Sequence, residues 1–298
     1  MYLDKEGKIV LETDFEQGAF FDQGIARVCG KTCGYIDSDG EKRFGFNYQR
    51  IGDLSQGLID YCDSNGCGFL DRNGKVVLKP QYDEVLPFSE GLAGASKNGR
   101  WGFIDRSGRW VISPVYGSVD SFSEGRAAVQ SSKAPHLYGI IDTSGGTILP
   151  FKYQRIYPFS SGLARFFHWD RFGFLDRSGT MELSASLEWA EDPSQGLAFY
   201  IHDNRQGFRK GNTVVISLDC AGGHSFSANP VVALVRSCKD GRWTYIDGAG
   251  ATWKGGYIDA TNFENGFAFV RLEDQEAYSL LNDRGEVFAL ESDIRPGW

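Results

Sequence analysis

Apolar residues recur along this chain in blocks of about 34 residues, and each block keeps its internal spacing. The stretch from Arg100 to Val129, RWGFIDRSGRWVISPVYGSVDSFSEGRAAV, shows the block most plainly, and near copies precede and follow it. With the glycine of its Ser-Glu-Gly element as anchor, copies stand at Gly24, Gly57, Gly91, Gly125, Gly162, Gly196 and Gly266. The successive gaps are 33, 34, 34, 37, 34 and 70 residues, the last being two periods with one anchor lost near Asn229. Nine residues before the anchors stand Phe15, Tyr48, Tyr82, Tyr116, Tyr153, Leu187 and Tyr257. Six before stand Ile51, Val85, Val119, Ile156, Ala190 and Ala260, with Gly18 in the first copy; three before stand Phe21, Leu54, Phe88, Phe122, Phe159, Pro193 and Phe263. Three apolar columns held in register over so many copies define a tandem repeat.

The other half of each block predicts a β-hairpin. Asp4, Asp37, Asp71, Asp105, Asp142, Asp176 and Asp247 each precede a glycine by three residues, and Asn282 with Gly285 matches them. Asp caps a turn by accepting from backbone NH groups two residues on, and glycine takes the positive φ that closes it. The flanking aromatic and β-branched residues suit strands. A preceding strand such as GRAAVQ joins through a further tight turn, so each block predicts a three-stranded antiparallel meander. The PxYxxVxxFSEG segment then carries the chain to the next one. No stretch shows helical periodicity. The expectation is one all-β domain over 1–298: an N-terminal half unit (1–21), tandem repeats (22–276) and a C-terminal hairpin (277–298). One small meander cannot bury its own apolar face, so about eight of them must stack. The end pieces MYLDKEGKIVLE and YSLLNDRGEVFALE duplicate each other instead of completing one unit. That favours an open superhelical solenoid, with a closed eight-bladed, propeller-like ring as the alternative.

The Trp101-Gly102 pair and the repeat around it resemble the WG-repeat (KWG-type) family of bacterial tandem-repeat proteins. The resemblance covers nearly the whole chain and is strongest over 56–180. The tryptophan column itself reads Cys33, Cys67, Trp101, Tyr138, Phe172, Gln206, Trp243 and Tyr278. What the resemblance implies is a protein-interaction or scaffold role, with no catalytic motif to carry over.

Composition narrows the classes further. With 41% hydrophobic and 23% charged residues the chain is globular, and its 38 glycines against 9 prolines match many tight turns. A net charge of −8 and a pI near 5.1 argue against nucleic acid or an anionic membrane as partner. No run of 18 apolar residues occurs, and no basic region followed by an apolar core opens the sequence, so a cytoplasmic protein is expected.

Chemistry-bearing residues cluster by repeat register. Cys29 and Cys33 flank one hairpin turn, and Cys62 and Cys67 flank the equivalent turn one repeat later. Ordinary buried thiols are the reading preferred. A four-thiolate zinc site and two cross-hairpin disulfides are the alternatives. His168 and His202 share one turn position in neighbouring units, with Asp170 and Asp203 beside them, which is a second weak metal candidate. No nucleophile elbow and no phosphate loop is present, so no catalysis and no cofactor is expected. Specificity in a repeat protein can reside where the pattern breaks. Trp169 interrupts a turn, and SLEWAEDPSQG brings Glu188, Trp189, Glu191 and Asp192 into the place of the usual connecting segment. With Asp170, these predict a surface for a basic protein partner, as in an adaptor or immunity-type inhibitor. Glycan or cell-wall binding through exposed aromatics is the alternative, and a metal-dependent enzyme at the histidine edge is the third reading.

Overall fold

The structure, a computed structural model, describes residues 2, 3, 9–203, 205–218, 222–237 and 239–290. Asp4, Cys220, Cys238 and the end of the expected C-terminal hairpin lie outside them. Two compact units divide the chain, one of 1–2 and 9–153, the other of 3–8 and 154–298. Among the described residues the first unit carries sheets 1–4 (17–44, 50–82, 93–116 and 118–153), after a two-stranded N-terminal hairpin. The second carries sheets 5–8 (155–187, 189–218, 233–257 and 259–289). Every sheet is an antiparallel meander in chain order.

Sheet 4 shows how the sequence builds the unit. Its strands are Ser118–Val119, Arg126–Gln130, Tyr138–Asp142 and Thr147–Tyr153. The anchor glycine closes the turn before the second strand. Glu124 has φ 53° and Gly125 φ 75°, two successive left-handed residues, as a type I′ turn requires. The same pair recurs at Gln23-Gly24, Gln56-Gly57, Glu90-Gly91, Ser161-Gly162, Gln195-Gly196 and Asn265-Gly266. The Asp ladder caps the later turn. Asp105 Oδ1 accepts from the amides of Ser107 (2.9 Å) and Arg109 (3.0 Å), and Asp142 and Asp176 do the same one and two repeats on.

The glycine after the tryptophan column has a steric reason. A Cβ on Gly102 would lie 2.3 Å from the Ile112 carbonyl oxygen, and one on Gly68 would lie 2.4 Å from that of Leu78. The pairing slips there from Trp101↔Tyr116 to Phe103↔Ile112, a bulge that folds the third strand's backbone onto the glycine.

Two expectations are corrected. The meanders are four-stranded, because the column at Val119, Ile156 and Ala190 is the first strand of the next sheet, only two residues long. In sheets 3 and 7 that strand shrinks to a single bridge, Val85↔Ala95 and Gly223↔Val235. The repeat unit is therefore the four-stranded antiparallel meander of a propeller blade, not the expected three-stranded one. The second correction concerns the cysteines. Cys29–Cys33 and Cys62–Cys67 are disulfides, with S–S distances of 2.04 and 2.11 Å. Each links residues paired across one hairpin, which removes both the buried-thiol reading and the four-thiolate zinc site.

Within each unit, neighbouring sheets share their cores. Phe69, Leu78 and Tyr82 of sheet 2 pack with Val85, Phe88 and Ile104 of the next repeat. Phe103 and Ile112 pack with Val119, Phe122 and Val129. The rings meet tilted, Phe69 on Phe88 at 4.7 Å and Phe103 on Phe122 at 4.6 Å. Each buried ring contributes roughly 1.5–3 kcal/mol.

Candidate functional site

The second unit places the pattern-breaking residues of sheets 5 and 6 side by side. Strands Leu163–His168 and Arg171–Asp176 are joined by Trp169-Asp170, with φ 51° and 58°. This is again a type I′ turn, but with a tryptophan where Asn or Gly is usual. A bulky residue in the left-handed region is strained, and something must hold it there. The Trp169 amide donates to Gln154 Oε1 at 2.8 Å, the indole meets the His168 ring edge-on at 5.3 Å, and the side chain is otherwise open, 78% exposed.

Strand Trp189–Ala190 opens sheet 6 and pairs with Tyr200 and Ile201. The Trp189 ring stands edge-on to Phe172 at 5.6 Å and is 47% exposed. Beside it opens a cleft of about 430 Å³, in which Tyr157, Phe172 and Trp189 supply rings. Arg165, Glu191, Asp192 and Ser225 supply its polar groups. The Arg165 guanidinium lies 3.8 Å over the Tyr157 ring, is 11% exposed, and its Nε donates to Asp192 Oδ1 at 2.9 Å. It also donates to the Ala190 carbonyl. Glu191 accepts from the Ser225 amide at 2.6 Å and faces His224 Nδ1 at 3.6 Å. Burial pushes the Glu191 carboxyl up, but the hydrogen bonds from His224 and Ser225 outweigh it and leave its pKa below the ordinary value. The contact with Glu191 raises the His224 imidazole against its own burial.

The expected acidic surface is therefore rearranged. Trp169, Asp170, Glu188, Trp189, Glu191 and Asp192 lie on adjacent sheets, linked by Arg171–Glu188 (3.4 Å) and Phe172–Trp189. All three of its carboxylates outside the turn are matched from within: Glu188 by Arg171, Glu191 by His224, and Asp192 by Arg165. A further carboxylate nearby is Asp203, in the next hairpin turn, whose amide donates to Glu188 Oε1 at 3.3 Å and whose side chain faces His202 Nε2 at 3.4 Å. Glu188, His202 and Asp203 bring one ligand atom each within 4.8 Å of one another, a set able to hold a divalent cation. His168 is outside that set. Arg171 beside Glu188 works against a cation there, and Gln154 performs the same turn-capping role in sheet 5 that Glu188 performs in sheet 6.

The sequence did not single out Tyr157, Arg165, Phe172, His224 or Ser225. Phe172 sat in the tryptophan column and Tyr157 beside the Ile156 column, so both passed as framework. For Arg165 the available signal was a cation at a strand position one residue after a buried alanine.

The fold and cleft define an all-β tandem-repeat protein whose open polar and aromatic cleft lies at a junction between repeats. The family model for the WG containing repeat matches residues 1–29, 34–65, 68–101, 101–132 and 138–167, together more than half of the chain. The chain belongs to the WG-repeat family. No curated protein sequence matches it. Among solved structures it is similar to that of a eukaryotic initiation factor, at 10% identity and a TM-score of 0.64, covering 94% of this chain and 88% of that one. Hsv2p of Kluyveromyces lactis is more distantly similar, at 9% identity and a TM-score of 0.45 over 83% and 99% of the two chains. A streptogramin B lyase aligns at 14% identity and 0.38 over 76% and 90%. The first likeness is one of fold alone.

Proposed function

We propose that this chain is a non-catalytic binding module whose eight sheets close into a propeller ring, and that it holds a glycan at the cleft beside Trp189. The observation that carries the binding reading is the half-exposed Trp189 ring, set beside the enclosed Arg165 guanidinium and its half-exposed partner Asp192. An aromatic face packs on the C–H face of a sugar ring, while planar guanidinium and carboxylate groups meet its hydroxyls. The carboxylates matched from within lower the field offered to a cationic partner, which favours a neutral ligand. Four-stranded blades favour ring closure, because closure covers sheet faces that an open array leaves bare. The two disulfides favour an oxidising compartment over the cytoplasm. The test is a titration of soluble cell-wall oligosaccharides followed by tryptophan fluorescence. Binding should be lost on Trp189→Ala and hardly change between low and high salt; saturable binding that survives Trp189→Ala would overturn the assignment.

A second reading has its own observation. Trp169, strained and 78% exposed beside Asp170, fits a hot-spot anchor for a basic protein, as in an adaptor or immunity-type inhibitor. That partner's affinity would fall steeply with salt and with Trp169→Ala, and would leave the Trp189→Ala variant competent.

A further inference from the structure

The two disulfides occupy equivalent places in sheets 1 and 2, yet their surroundings differ in a way that decides how each can react. In the first, Cys29 is buried, at 9% exposure, and Arg27 Nη1 lies 3.2 Å from its sulfur, while Cys33 is partly exposed. In the second, Arg50 Nε lies 3.3 Å from the sulfur of Cys62, which is the partly exposed member, and Cys67 is buried in the apolar cluster of Phe69, Val85 and Phe88. Thiol–disulfide exchange needs an accessible sulfur to attack and a leaving sulfur that tolerates negative charge. The first bridge meets both needs on different atoms. In the second, attack on the open sulfur would expel a thiolate into an apolar core.

We infer that Cys29–Cys33 is an exchange site for small-molecule thiols, with Cys33 attacked and Cys29 leaving under Arg27, and that Cys62–Cys67 is inert structural bracing. An incoming thiolate donates its electron pair to Cys33 Sγ. The Cys29–Cys33 bond breaks, and its pair stays on Cys29 Sγ, where the guanidinium stabilises it. The product is a mixed disulfide on Cys33. A second thiol attacks the incoming sulfur of that adduct and releases the small disulfide. Two external thiols are then oxidised, and the bridge has gained two electrons and two protons. Asp53 tempers the step: it holds the same guanidinium, Nε–Oδ1 at 2.6 Å and Nη2–Oδ2 at 3.3 Å, and removes part of its charge.

The experiment treats the oxidised full chain with reduced glutathione at neutral pH, quenches with acid and maps adducts by peptide mass spectrometry. The expected product is a glutathione adduct on Cys33 with a free Cys29, while Cys62–Cys67 persists at least tenfold longer. Arg27→Met should slow opening about 3- to 10-fold, because the departing Cys29 thiolate loses the guanidinium that stabilises it. Asp53→Asn should speed it, and this second variant decides if the first does not fold. Adducts on Cys29, equal opening of the two bridges, or rates insensitive to both Arg27 and Asp53 would each overturn the inference.

Discussion

Replacing Gly102 by alanine tests what the glycine of the repeat is for. The added Cβ would sit 2.3 Å from the Ile112 carbonyl oxygen, 2.7 Å from the Ser113 carbonyl carbon and 2.8 Å from the Pro114 nitrogen. All three are backbone atoms of the paired strand, so no side chain can swing aside. The bulged strand must retreat by about 1 Å to restore ordinary contact, disturbing the sheet above the buried Ile112 and Phe103. Overpacking of this kind costs about 1–3 kcal/mol. Alanine returns roughly 0.4–1 kcal/mol by restricting the unfolded chain, which leaves a net loss of about 1–2 kcal/mol. Gly248 is the matched control, because a Cβ there meets nothing within 4 Å and its φ is not positive. It takes the place in its Asp-x-x-Gly turn that Arg106 takes in sheet 3. Gly248→Ala should therefore be neutral or stabilise by up to about 1 kcal/mol. Urea unfolding followed by circular dichroism reads both as shifts of the midpoint at constant slope. Equal midpoints for the two variants would refute a steric role for the glycine.

Three further predictions follow from the second unit. Trp169→Asn should raise stability by about 0.5–1 kcal/mol in thermal melts, since Asn tolerates the left-handed region and Asn98 already fills the equivalent place in sheet 3 with φ 52°; an unchanged or lower melting point would contradict a strained Trp169. Arg165→Met should cost about 2–3 kcal/mol, because it removes a charge-assisted pair and the contact over Tyr157 from a buried position. Arg109→Met, in a pair whose arginine is 83% exposed, should cost under about 0.5 kcal/mol, and equal losses would sink the distinction. The Glu191–His224 contact should stabilise most between about pH 4.5 and 6.5. The raised His224 contributes fully below its unfolded value of 6.5, and this is lost as pH rises through its folded value; the lowered Glu191 contributes above 4.5, and this is lost as pH falls through its folded value. With His224 nearly half exposed, the effect is about 0.5–1 kcal/mol; melting curves of Glu191→Gln that parallel the parent from pH 4 to 8 would exclude it.

Local backbone demands made most of the fold legible. A left-handed pair needs glycine at its second residue, and an Asp-capped turn needs Asp and glycine three apart, so both features repeat visibly. The first strand of most sheets did not announce itself, because two residues such as Arg155–Ile156 carry no alternation to read. Cysteine pairing was legible only as one of the alternatives to buried thiols. Cys29↔Cys33 and Cys62↔Cys67 are directly opposed only because of the hairpin register, which the spacing permits without requiring. The acidic residues near Trp189 were legible as a cluster, but their cationic partners, Arg171, Arg165 and His224, come from other strands and connections of the chain.

The cleft's position also bears on whether sheet 6 departs from the repeat by decay or by use. Between most neighbouring sheets a ring from the third column fills the junction: Phe88 against Phe69, Phe122 against Phe103, Phe226 against Phe208, Phe263 against Tyr245. Between sheets 5 and 6 that column holds Pro193, and the second column holds Ala190. Decay alone would leave a loosened core. Leu187, Ala190 and Phe174 are instead fully buried, and the lost ring volume coincides with a junction where Arg165 is clamped by a ring, a carboxylate and a carbonyl. A guanidinium this enclosed costs desolvation, which its three partners offset only if all are kept together. Random drift would have to supply a compact set of matched groups and a half-exposed indole at the junction where proline replaces the column's ring. These features together support the ligand-binding reading proposed for the cleft.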